Sequence, residues 1–117
     1  MAHLLIHRGL AKKGLAENTI KAFKYCFKKK YGIETDIHCT QDGKIVCFHD
    51  FNLKRKFKIN KILKNSKYKD LLKISKSKKN PIPLLNDLIK ISKNKRFLML
   101  EIKPLFSKES LKILLRE

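Results

Sequence analysis

The sequence predicts an α/β fold with a mostly parallel sheet, and three features carry that expectation. Short apolar runs alternate along the chain with stretches whose apolar residues recur at helical spacing. Residues 97–102 (Phe-Leu-Met-Leu-Glu-Ile) form a nearly continuous apolar run, which suits a strand buried on both faces. Asp42-Gly43 is a tight-turn signal, so the runs on either side of it should pair antiparallel, while the remaining strands, separated by helices, should be parallel.

The elements follow in order. His3-Leu4-Leu5-Ile6-His7 reads as a strand, ended by Arg8-Gly9, and a loop continues through Gly14. Asn18 is placed to cap a helix over about 19–30, with Ile20, Phe23 and Phe27 on one face and Gly32 closing it. Residues 33–39 alternate as a strand that puts Glu34, Asp36 and His38 on one side, and 44–48 form the returning strand. From about 52 to 80 the chain is lysine-rich with scattered Ile and Leu, and short helices such as 68–75 are expected there. Pro81 and Pro83 open a helix over about 84–92, with Leu84, Leu85, Leu88 and Ile89 facing inward. After the 97–102 strand, Ser107 is placed to cap a last helix that runs toward Glu117.

Size and charge narrow the function classes. A chain of 117 residues, 43% of them hydrophobic, is read as one small domain with a core. Net charge is +19, yet only four of its 29 basic residues are arginine, and the lysines are spread over the whole length. Nucleic-acid recognition favours arginine forks and aromatics interleaved with basic residues, so no specific nucleic-acid partner is expected. A basic module for RNA or anionic lipid stays as an alternative, and weak, salt-sensitive adhesion to polyanions is expected in any case. No leader peptide and no apolar stretch near the ~20 residues of a transmembrane helix is read, so the expected setting is cytoplasmic. Cys26, Cys39 and Cys47 have no C-x-x-C spacing and are read as small apolar residues.

The residues that carry chemistry fall at strand ends: His7 and Arg8, then Glu34 and Asp36, then His49, then Glu101 and Lys103. In α/β barrels active sites gather at the carboxyl ends of parallel strands. Ionisable groups in apolar strands are costly unless paired or bound to a metal. Glu34 and Asp36 are two apart on one strand and share a face, so with Glu101 they offer a hard oxygen site for Mg²⁺ or Ca²⁺. If Asp42-Gly43 is a two-residue turn, Gln41 sits opposite Lys44 and Asp36 opposite His49. Phosphodiester hydrolysis needs charge neutralisation, a deprotonated nucleophile and a protonated leaving group. A cation with Arg8 and Lys103 covers the first, and His7 with His49 can share the other two. Each residue alone reads as ordinary: a rim histidine, a turn, a helix cap. His3 and His38 have no assigned partner and are read as structural.

Taken as a series, His7-Arg8-Gly9, Glu17-Asn18-Thr19, Ala22-Phe23, Gly32-Ile33-Glu34-Thr35-Asp36, Thr40-x-Asp42-Gly43, Val46-Cys47-Phe48-His49-Asp50, Leu53-x-Arg55, Ile82-Pro83-x-Leu85 and Glu101-Ile102-Lys103 resemble the glycerophosphodiester phosphodiesterase family. The resemblance implies a TIM-barrel enzyme that cleaves small-molecule glycerophosphodiesters to glycerol 3-phosphate and an alcohol with a divalent cation. Carried over by position, Glu34, Asp36 and Glu101 match its metal ligands and His7 and His49 its acid–base pair. Arg8 and Lys103 match its phosphate-binding residues, and Glu17 a supporting position. A TIM barrel takes ~250 residues and eight strands. The expectation is therefore a partial barrel, about the first three barrel strands plus a β-hairpin. Residues 1–117 would be the N-terminal portion of the domain, its C-terminal half absent, with association of a second chain to complete the barrel as one possibility. A truncated, non-catalytic remnant of the family is the alternative.

Overall fold

A computed structural model of the chain describes residues 4–10, 12–93, 97–103 and 107–116. The expected strand residue His3 and the expected helix end Glu117 lie outside them. The α/β expectation is met. The strands are β1 (Leu5–His7), β2 (Gly32–Cys39), β3 (Ile45–Cys47) and β4 (Leu98–Ile102). The α-helices are α1 (Ile20–Lys28), α2 (Lys54–Phe57), α3 (Tyr68–Ser77), α4 (Leu85–Ser92) and α5 (Lys108–Arg116), with a short 3₁₀ turn at Leu63–Asn65. β2 is the centre of the sheet, parallel to β1 and β4 and antiparallel to β3.

Alternation along β2 divides the molecule. Ile33 and Ile37 point to the face covered by α1 and α4, where they meet Phe23, Cys26, Phe27, Leu85 and Leu88 in one buried cluster. Glu34, Asp36 and His38 point to the other face. Phe23 is fully buried, and truncating it to alanine should cost about 3–5 kcal/mol. β3 is buried along its whole length because it has a core on each side. Ile45 and Cys47 join the first cluster, while Val46 joins a second with Phe48, Leu53, Phe57, Leu63, Leu71 and Ile82. That second cluster organises the lysine-rich segment, most of whose sparse apolar residues turn inward, while Ile62 stays exposed. Burial pushes the Cys47 thiol up to about 12, in keeping with its reading as an apolar residue.

Four local expectations are corrected. Thr19, not Asn18, caps α1: its Oγ1 accepts the Ala22 N–H at 3.3 Å, while Asn18 sits in the left-handed region at φ 50°. Gly32 does not close α1. Lys30 takes the left-handed turn at φ 64°, and Gly32 begins β2, where a Cβ would lie 2.6 Å from Leu5 and 2.9 Å from the Phe97 carbonyl oxygen. The hairpin turn is longer than two residues. Thr40 pairs with Lys44, its N–H on the Lys44 carbonyl at 2.9 Å, leaving Gln41, Asp42 and Gly43 in the loop with Gly43 left-handed at φ 78°. Finally, β4 is not buried on both faces: Met99 is 54% exposed, and among the described strands β4 pairs only with β2.

Candidate active site

Strand register assembles the site. In the parallel pairs His7 lies beside Glu34 and Asp36 beside Glu101, so all four side chains share one face at the carboxyl ends of β1, β2 and β4. The chain leaves β1 through two successive left-handed residues, Arg8 (φ 53°) and Gly9 (φ 69°). Only glycine fits the second, because a Cβ there would meet the Phe23 ring at 2.9 Å. The Arg8 N–H donates to the Glu34 carbonyl at 2.7 Å and anchors the turn. Its guanidinium comes back over the sheet, with Nε 3.7 Å from Asp36 Oδ2. Such a conformation costs a non-glycine residue of order 1 kcal/mol and occurs where geometry demands it.

Glu34, Asp36 and Glu101 each offer a carboxylate oxygen within 4.8 Å of the others. Lys103, nearly buried, places Nζ 3.3 Å from Asp36 Oδ1 and 3.5 Å from Glu101 Oε1. His7 Nε2 stands 3.5 Å from Glu34 Oε2, its ring largely open to solvent. All four carboxylate oxygens of Glu34 and Asp36 are buried without a well-formed hydrogen bond, although ion-pair partners stand near. Burial, then Asp36 and Glu101, push the Glu34 carboxyl above its ordinary range, with His7 opposing. Burial pushes Asp36 upward too, but contacts with Glu101, Lys103 and His49 outweigh it and hold Asp36 low. Orphaned hard oxygen donors packed this closely fit a divalent cation, which would relieve their repulsion.

His49 arrives by a different route from the one expected. With the longer turn Asp36 faces Phe48, whose N–H donates to the Asp36 carbonyl at 3.0 Å, so His49 lies one residue beyond. A one-residue slip would reverse the side-chain direction within a strand. β3 ends at Cys47, however, and past it the pleat no longer dictates direction. His49 still lies close enough for its charge to favour the Asp36 carboxylate. Its Nδ1 is 2.7 Å from Asp50 Oδ1, and its carbonyl is 3.0 Å from His38 Nε2. His38 therefore has a partner, and its ring also stands at right angles to that of Phe51, the centroids 5.2 Å apart; burial lowers its pKa.

Sequence reasoning quoted Asp50 and Arg55 but gave them no role. Arg55, on α2, grips Asp50 with Nε (2.9 Å) and Nη2 (3.1 Å) and Glu17 with Nη1 (3.0 Å) and Nη2 (2.9 Å). Glu17 also accepts Arg8 Nη1 at 3.3 Å on both oxygens. The available signal was compositional, since two of the four arginines in a lysine-dominated chain meet at one carboxylate.

Residues 7–114 match the sequence pattern of the Glycerophosphoryl diester phosphodiesterase family. The chain belongs to that family. Among curated relatives, it is 35% identical over 102 residues to human lysophospholipase D GDPD1, covering 75% of this chain and 32% of that protein. It is 28% identical to a glycerophosphodiester phosphodiesterase of Bacillus altitudinis, covering 87% and 44%. The crystal structure of the Thermotoga maritima glycerophosphodiester phosphodiesterase superposes with TM-score 0.84 at 25% identity, over 99% of this chain and 49% of that one. The fold of an Oleispira antarctica phosphodiesterase, in complex with sn-glycerol-3-phosphate, matches with TM-score 0.83 at 22% identity, over 98% and 51%. The chain thus spans about half the length, or less, of these relatives, and the expected partial α/β barrel is the fold observed. Among the described residues no helix is long and apolar enough to cross a membrane.

Proposed function

We propose that this chain carries the catalytic face of a phosphodiesterase that hydrolyses glycerophosphodiesters to glycerol 3-phosphate and an alcohol. One observation supports it most: three carboxylates from two parallel strands converge, four of their oxygens are buried without hydrogen bonds, and cations and imidazoles ring them. Glu34, Asp36 and Glu101 would hold a divalent cation, Mg²⁺ or Ca²⁺ by the hardness of the donors. When bound, the cation supplies charge neutralisation at the phosphate. Arg8 and Lys103 would grip the phosphate oxygens, and both already lie against Asp36. His7 and His49 would divide the acid and base roles, and Glu17 would support Arg8. Residues 1–117 are read as the N-terminal portion of the family's domain. The rest of the wall would come from further barrel strands, a second chain among the possible sources, and the exposed Met99 marks the open side. We place the protein in the cytoplasm, where cysteines stay as thiols, the form in which Cys39 and Cys47 are found.

The experiment is release of glycerol 3-phosphate from a glycerophosphodiester by the folded chain with Mg²⁺ or Ca²⁺. Turnover is expected to fall about 10²–10⁴-fold in His7→Ala and in His49→Ala. A folded, cation-loaded sample that releases none defeats the reading for this chain. Cation binding without turnover would instead favour a non-catalytic remnant, a second reading motivated by the 61% exposure of the Glu101 side chain.

A further inference from the structure

A histidine that moves protons must present the right nitrogen. A neutral imidazole carries one N–H, and the partner of one ring nitrogen decides which nitrogen is left free. His49 Nδ1 faces Asp50 Oδ1 at 2.7 Å, and a carboxylate can only accept there. Asp50 is the next residue along the chain, however, and its short side chain could rotate away unless something holds it. Arg55 holds it in a two-pronged grip through Nε and Nη2, while the other edge of the same guanidinium is held by both oxygens of Glu17. Two contacts from a flat fork that two more fix to Glu17 hold Asp50 in one orientation, and a lysine, with one point charge, cannot reproduce that. In a chain that uses lysine almost everywhere, an arginine stands at this position.

We propose that Asp50, locked by Arg55 and Glu17, is a positioning residue that keeps neutral His49 in the Nδ1–H form and so leaves Nε2 as the nitrogen that exchanges a proton with the substrate. The proposal rests on the reading of His49 as one of the acid–base pair. The bland alternative is a staple that merely ties α2 to the loop after β3. A staple predicts lost stability on mutation but no change in which ring nitrogen is protonated.

Long-range ¹H–¹⁵N spectra of the ¹⁵N-labelled full chain, at a pH where His49 is neutral, separate the two. The unaltered protein should show His49 with its proton on Nδ1. Asp50→Asn and Arg55→Lys should move His49 to the Nε2–H form or to a mixture, with the remaining amide spectrum native. In turnover, Arg55→Lys should lower kcat about 10- to 100-fold with little change in KM. An Nε2–H form in the unaltered protein overturns the proposal, as does an unchanged form in both folded variants. If one variant fails to fold, the spectrum of the other decides. Absence of turnover in the unaltered chain counts against the functional reading and leaves the tautomer result standing.

Discussion

Two groups of carboxylates lie side by side in this protein and have opposite surroundings. In the trio of Glu34, Asp36 and Glu101, the Glu34 and Asp36 oxygens are buried without a well-formed hydrogen bond, and Glu34 is pushed above its ordinary range by burial and by its neighbouring carboxylates. In the pair Glu17 and Asp50, oxygens are gripped by Arg55 and, for Glu17, also by Arg8. The Arg55 hydrogen bonds bring Asp50 down to about 2, and for Glu17 burial pushes upward but Arg55, with Lys56 and Arg8, outweighs it. The contrast separates two uses of buried charge. A satisfied carboxylate holds its neighbours still, whereas an unsatisfied one has capacity left for a ligand.

The largest effect should come from supplying that ligand. At a hundredfold excess over Kd, Mg²⁺ or Ca²⁺ should stabilise the chain by about 2.7 kcal/mol and raise Tm by roughly 10 °C in a thermal melt. Glu34→Gln should abolish that rise, while in the absence of cation its stability should equal or exceed that of the unaltered protein. A full rise in Glu34→Gln would break the comparison. Next in size, Arg55→Ala should destabilise by about 2 kcal/mol in a denaturant titration, because it strands the Glu17 and Asp50 carboxylates together. A loss no larger than that of an exposed lysine on α3, Lys73→Ala, would show the clamp to be ornamental.

The smallest effect is one of pH. The Asp50 carboxyl is lowered from 3.8 to about 2, so its contribution is fully present above pH 4 and is lost as pH falls toward 2. With Arg55 half exposed, screening limits that contribution to about 1–2 kcal/mol. Stability of the unaltered protein should fall across that window more steeply than that of Asp50→Asn. Parallel curves would remove Asp50 from the clamp.

Much of the site could be read because its spacing is local. Glu34 and Asp36 share a face whatever else happens to β2, and the residues ending β1 and β4 meet them once parallel pairing is granted. Where a neighbour far along the chain had a say, the reading slipped. Asp42 looked like a plain two-residue turn, but its Oδ1 also accepts from Thr40 Oγ1 at 2.6 Å and from the Tyr68 N–H at 3.0 Å, tying the longer loop to the start of α3. The apolar run of β4 reads as doubly buried, yet one of its faces is the open side of the sheet. The lysine-rich segment predicts only short helices such as 68–75, of which α3 is one, because its apolar residues are sparse and irregularly spaced, and packing around Val46 and Phe48 gathers them.

By itself the sequence determined the order and type of the main elements, the sheet's mixed polarity and the identity of the side chains at the strand ends. These follow from periodicity and turn chemistry, which act over a few residues. Tertiary structure alone decided the register of the hairpin, the exposure of β4 and the meeting of Glu17, Asp50 and Arg55 across 38 residues of chain. Those outcomes depend on which distant groups satisfy one another's charge and fill one another's volume, and no local pattern encodes that.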